Sequence, residues 1–95
     1  MHVMFIGRDK PGHLPLRLSS REAHLAFLKE NAAAIKIAGP YLDEATGEPR
    51  GSLLIVEAES LEAAKDLLAR DPYAAVGLFA SVEILPWRWV IGVPA

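Results

Sequence analysis

Apolar and polar residues alternate along this chain in two rhythms, one fitting helices and one fitting strands. Residues 60–70 carry apolar side chains at Leu61, Ala64 and Leu68, the spacing of one helix face. The same spacing continued lands on Asp71, so the stripe ends in a carboxylate where a hydrophobe is expected. Residues 20–35 show the converse. Their stripe of Leu25, Leu28, Ala32 and Ile35 extends backwards to Arg21, with His24 on its edge. Burying ionisable groups without partners costs several kcal/mol, on the order of 2–7 for a neutral polar group alone. These groups therefore require partners, a cleft, or both.

The remaining pattern predicts strands and turns. Residues 2–8 form a near-continuous apolar run and predict a first strand. Residues 9–18 contain Pro11, Gly12 and Pro15 and predict a loop. Ser19 and Glu22 have capping-box spacing, which starts the first helix at Ser20 and carries it to about residue 34. A second strand over 36–42 contains Gly39-Pro40. Proline cannot donate to a ladder, so this is an edge strand or a bulge. A polar hairpin loop follows over 43–50, then a third strand over 51–59 centred on Leu53-Leu54-Ile55-Val56. Ser60 caps the second helix, which stops at Asp71 because a residue preceding proline is pushed out of the helical region. Residues 72–76 form a short extra turn, 78–85 a fourth strand and 87–93 a fifth.

The order β-α-β-β-α-β with an appended strand is the split-βαβ pattern, so the fold class is α+β, with a ferredoxin-like antiparallel sheet and an extra C-terminal strand. In that topology two antiparallel helices cover one face of the sheet. The start of the first helix then lies at the same end as the finish of the second. Arg21, His24 and Asp71 converge there, joined by Ser52 at the start of the third strand.

Composition narrows the function. A chain of 95 residues fits one domain spanning 1–95, and 52% hydrophobic residues is rich for that length. The surplus predicts apolar surface reserved for a second copy, and the alternation of Trp87 and Trp89 places both on one face, suited to a dimer interface or to a ligand cage. With a net charge of −2 and scattered Lys and Arg there is no basic stripe, so nucleic acid is not expected as a partner. The absence of cysteine removes disulfides, thiol catalysis and thiolate metal sites, and fits a cytoplasmic protein. No apolar run is long enough for a membrane span, and the apolar stretch 1–7 is too short for a signal peptide. His2, His13 and His24 lack metal-ligand spacing. No phosphate loop, nucleophile elbow or dinucleotide fingerprint is present. Neither a metal nor a cofactor is expected.

Each candidate residue carries two readings. A carboxylate on one imidazole nitrogen of His24 fixes its tautomer and frees the other nitrogen for acid–base work; alternatively the His24–Asp71 bond only satisfies a helix end. Arg21 either clamps a substrate carboxylate or pairs with an acid such as Asp71. Ser52 donates to a ligand or ends a turn. Gly39 and Pro40 admit a ligand to the backbone or bend the edge strand. Tyr73 lines a pocket or fills the core.

Several segments together resemble one family. These are Arg21-Glu22-Ala23-His24-Leu25, Ala38-Gly39-Pro40, Gly51-Ser52, Ser60-Leu61-Glu62-Ala63-Ala64, Asp71-Pro72-Tyr73, Gly77-Leu78-Phe79 and Pro86-Trp87. In order and spacing they are similar to the YciI-like (YCII-related) proteins, over nearly the whole chain. The resemblance implies a ferredoxin-like domain that dimerises by its sheets into a dimeric α/β barrel. It also implies a small pocket with a His–Asp dyad, which falls here on His24 and Asp71. Some relatives handle chlorinated aromatic intermediates, including loss of HCl, without a cofactor. The expected function is cofactor-independent elimination, isomerisation or proton abstraction on a small organic molecule. The alternative is a non-catalytic metabolite-binding or accessory dimeric module.

Overall fold

A computed structural model of the chain describes residues 1–94. Its elements are β1 (His2–Asp9), α1 (Leu14–Glu30), β2 (Ile35–Leu42), β3 (Pro49–Glu57), α2 (Leu61–Ala69), α3 (Pro72–Ala75) and β4 (Phe79–Trp87). The strands form one antiparallel sheet in the order β2-β3-β1-β4, the ferredoxin-like arrangement. As the proline at residue 40 predicts, β2 is an edge strand; its register slips at Ile35/Ile37 and Tyr41/Leu42, not at Gly39-Pro40.

The core sits between one sheet face and the helices. Val3 and Phe5 of β1 pair with Val56 and Leu54 of β3, and these meet Phe27 of α1 and Ala64, Leu67 and Leu68 of α2. Alternation along β1 is strict, with Val3, Phe5 and Gly7 buried and the residues between them only half-buried. Gly7 leaves room for the Phe79 ring, which packs edge-on to Phe5 and to Tyr73 at centroid separations of 5.4 and 6.4 Å. The α2 stripe ends as its spacing predicts. Ala64 and Leu68 are buried, Ser60 Oγ accepts the Ala63 N–H, and Asp71 is 3% exposed.

Two expectations fail. The first helix begins at Leu14, not at Ser20, because Pro15 falls in the first turn, where its missing N–H costs nothing. Gly12, with φ of +75°, turns the chain into it. Ser19 is therefore interior, and its hydroxyl donates to the Leu16 carbonyl instead of capping. The buried face shifts with the start: Arg17, His24 and Phe27 face inward, Leu25 is 42% exposed, and Ala32 lies in the turn after the helix.

The appended fifth strand does not form among the described residues. Trp87 ends β4, the Trp89 indole N–H donates to the Ile91 carbonyl, and Gly92 takes φ of +82°, which curls residues 88–92 away from an extended path. The two tryptophans still meet, with ring centroids 5.5 Å apart.

Candidate functional site

Arg17, Arg21, His24 and Leu28 follow one another at three- and four-residue intervals and so share one face of α1. That face looks onto the helix-side residues of β2 and β3, where Pro40 lies opposite Ser52 in the register. Between them lies a cleft of about 280 Å³. Leu18, Leu25, Leu28, Ala38, Pro40 and Pro49 supply its apolar lining; Arg17, Arg21, His24, Ser52 and Tyr73 supply the polar groups.

Asp71 stands behind His24 and outside the cleft lining. It is the N-cap of α3, with Oδ1 accepting the Tyr73 N–H at 3.0 Å. The same carboxylate meets His24 Nδ1 at 2.8 and 3.0 Å. A carboxylate can only accept, so Nδ1 carries the proton and the neutral ring keeps its lone pair on Nε2. Nε2 has no partner among the described residues, yet no buried polar side-chain atom is left unsatisfied, so it is reached from the cleft. One carboxylate thus serves both bonds, to the start of α3 and to the imidazole.

Sequence reasoning missed Arg17 and Asp9. The loop assigned to residues 9–18 concealed Arg17, which lies two helical turns before His24 on the same stripe. The available signal was that spacing, together with a proline suited to a helix start. Arg17 is 4% exposed. Its Nε and Nη2 donate to the two oxygens of Asp9, at 2.6 and 3.0 Å, and Nη2 also donates to Ser52 Oγ at 2.7 Å. This two-point pairing offsets the desolvation of a buried charge. Burial alone pulls the Arg17 guanidinium down, but hydrogen bonding to Asp9 and its charge more than reverse that, and the group ends above its ordinary value.

Tyr73 joins the two halves. Its ring stacks on the His24 imidazole, with centroids 3.9 Å apart and planes at 15°, and the Arg17 guanidinium lies 4.6 Å from the ring centre. Ser52 thus serves as the acceptor for Arg17 and neither ends a turn nor stands free. Arg21 is exposed at the cleft and makes no ion pair among the described residues; Asp71 is engaged by His24, not by Arg21. Gly39 and Pro40 line the opposite rim. Among the described residues no cluster of three His, Cys, Asp or Glu is arranged to hold a metal, and no helix is long and apolar enough to cross a membrane.

Burial holds the Tyr73 phenol above its ordinary value, against the opposing charges of Arg17 and Arg21. The folded state therefore keeps this proton after the unfolded chain has lost it. The resulting stabilisation is complete below about pH 10 and disappears as pH rises through the folded value. Thermal unfolding of the wild type should fall more steeply above pH 10 than that of Tyr73→Phe; parallel pH profiles would contradict this.

Known proteins share the sequence and the fold. The family model of the YCII-related domain matches residues 1–88. An uncharacterized protein of Haemophilus influenzae is 39% identical over 97 aligned positions, covering 95% of this chain and 99% of that protein. Protein YciI of Escherichia coli O6:H1 is 36% identical over the same coverage. Among solved structures, 5-chloro-2-hydroxyhydroquinone dehydrochlorinase (TftG) from Burkholderia phenoliruptrix AC1100, in complex with 2,5-dihydroxybenzoquinone, superposes with a TM-score of 0.87 at 36% identity. That match covers 93% of this chain and 94% of the other. A structure named "Putative antibiotic biosynthesis monooxygenase" from Bacteroides thetaiotaomicron (11% identity, TM-score 0.62, 100% and 94% coverage) shares the fold alone. The chain belongs to the family of YCII-related domain proteins.

Proposed function

We propose that this protein is a homodimeric enzyme that moves protons on a small, ring-sized organic anion without a bound cofactor. The observation that carries the reading is the His24 imidazole, anchored at Nδ1 by Asp71 with Nε2 open to the cleft. In this reading Nε2 takes a proton from an acidic C–H or O–H of the substrate. The electron pair left behind either expels a leaving anion, giving elimination, or is reprotonated elsewhere, giving isomerisation. His24 is the base and then the acid, and Asp71 orients it. Arg21, the unpaired cation at the cleft, attracts the anion, and Leu25, Pro40 and Tyr73 surround its flat body. The dehydrochlorinase relative, whose named substrate is a small hydroxylated chloroaromatic, supports elimination as the first reaction to test.

The other face of the sheet supports the dimer. Ile37, Leu53 and Leu85 are 40%, 37% and 49% exposed there, with no helix above them, and Trp87 and Trp89 adjoin at one end. An apolar sheet face of this kind is what a second copy would bury. Light scattering should give twice the chain mass at micromolar concentration and the single-chain mass for Leu85→Glu; a wild type that stays monomeric would contradict the dimer.

Chloride release from 5-chloro-2-hydroxyhydroquinone tests the chemistry. His24→Ala should lose at least about 10²-fold in kcat, the usual contribution of a positioned acid–base group. Asp71→Asn should lose activity in the same direction while KM changes little. Unchanged turnover in both variants would overturn the mechanism. Saturable binding with no product from a broad panel of hydroxylated ring compounds would indicate a metabolite-binding module instead.

A further inference from the structure

The Arg17 guanidinium has five N–H donors, and the chain uses three of them: Nε–H and one Nη2–H on Asp9, and the other Nη2–H on Ser52. The remaining two belong to Nη1; the Tyr73 hydroxyl stands close enough to the guanidinium to share it weakly, no other acceptor among the described residues takes it, and the residue is almost wholly buried and lines the cleft. Arg17 and His24 line the cleft together, and among the described residues no buried side-chain polar atom is left without a partner. Both groups also touch the same Tyr73 ring, which brings them within reach of one small molecule. An arginine held rigid by a carboxylate and a hydroxyl, with one face of its fork unspent, is a preorganised donor for an oxyanion.

We infer that Arg17 Nη1 binds the substrate oxygen that becomes negative when His24 removes a proton. This rests on the acid–base reading of the site and adds the substrate class: a planar hydroxylated or oxo ring whose acidic hydrogen and charge-accepting oxygen lie at different positions. In the step, the substrate X–H bond breaks, the proton passes to His24 Nε2, and the electron pair is delocalised onto the oxygen facing Arg17. Asp9 and Ser52 are positioning residues, which hold the fork so that it need not reorganise as charge develops. Arg21, exposed and unpaired, steers the anion, whereas Arg17 receives its oxygen.

The probe is 2,5-dihydroxybenzoquinone, added to the full chain and followed by its visible absorbance and by the side-chain ¹⁵N–¹H signals of Arg17. Wild type and His24→Gln should both bind it and shift those signals. Arg17→Lys, which keeps the charge but not the planar fork, should bind about tenfold or more weakly. The double variant Asp9→Asn/Arg17→Gln removes both buried charges together and should lose binding while remaining folded by circular dichroism. Binding unaffected in Arg17→Lys and in the double variant, or a wild type that does not bind at all, would overturn the assignment. Loss of binding in His24→Gln alone would overturn it too, and leave His24 as the site's ligand contact. The acid–base reading is judged separately, by chloride release in the His24 and Asp71 variants.

Discussion

Two ionisable side chains, Arg17 and His24, lie buried on one face of α1, and each is held by a carboxylate from a different element. Asp9 comes from the end of β1, and Asp71 from the junction of α2 and α3. Arg17 without Asp9 would be an uncompensated buried charge, which typically costs about 3–5 kcal/mol, and His24 without Asp71 would leave a buried N–H unpaired, which costs on the order of 1–3 kcal/mol. The pairs therefore tie α1 to the end of the first strand and to the end of the second helix. Both side chains line the cleft.

The fold makes this arrangement possible through a short chain of contacts. Gly7 admits the Phe79 ring, Phe79 supports Tyr73, and Tyr73 carries the His24 imidazole on its face. The start of α3 fixes Tyr73 through the bond from its N–H to Asp71, so the residue that orients the histidine also orients the ring beneath it. The cleft is thus built on regular elements and not on mobile loops, which suits a site that must hold donors at fixed positions.

Much of this was legible in the sequence. The α2 stripe that ends in Asp71, read with the proline at residue 72, gave both the helix end and the carboxylate at the site. Topology then brought His24, Arg21 and Ser52 to the same edge. What the pattern does not reveal is Arg17, because Pro11, Gly12 and Pro15 together carry the composition of a loop, although Pro15 is compatible with a first helical turn. The α1 stripe was displaced for a related reason: its inward face is built from Arg17 and His24, so hydrophobic periodicity alone selects Leu25 and Ala32, which are exposed. The apolar residues over 87–93 suit a fifth strand, but that pattern does not carry the Trp89 indole bond to the Ile91 carbonyl, which with the positive φ of Gly92 turns the backbone off an extended path.

Whether Asp71 holds the His24 proton on Nδ1 and leaves Nε2 as the base is read directly by a long-range ¹H–¹⁵N spectrum of the imidazole, recorded where the ring is neutral. The expected result is a protonated Nδ1 and an unprotonated Nε2 in the wild type, and a mixture of tautomers in Asp71→Asn. A wild-type ring protonated on Nε2, or a tautomer balance indifferent to Asp71→Asn, would contradict it.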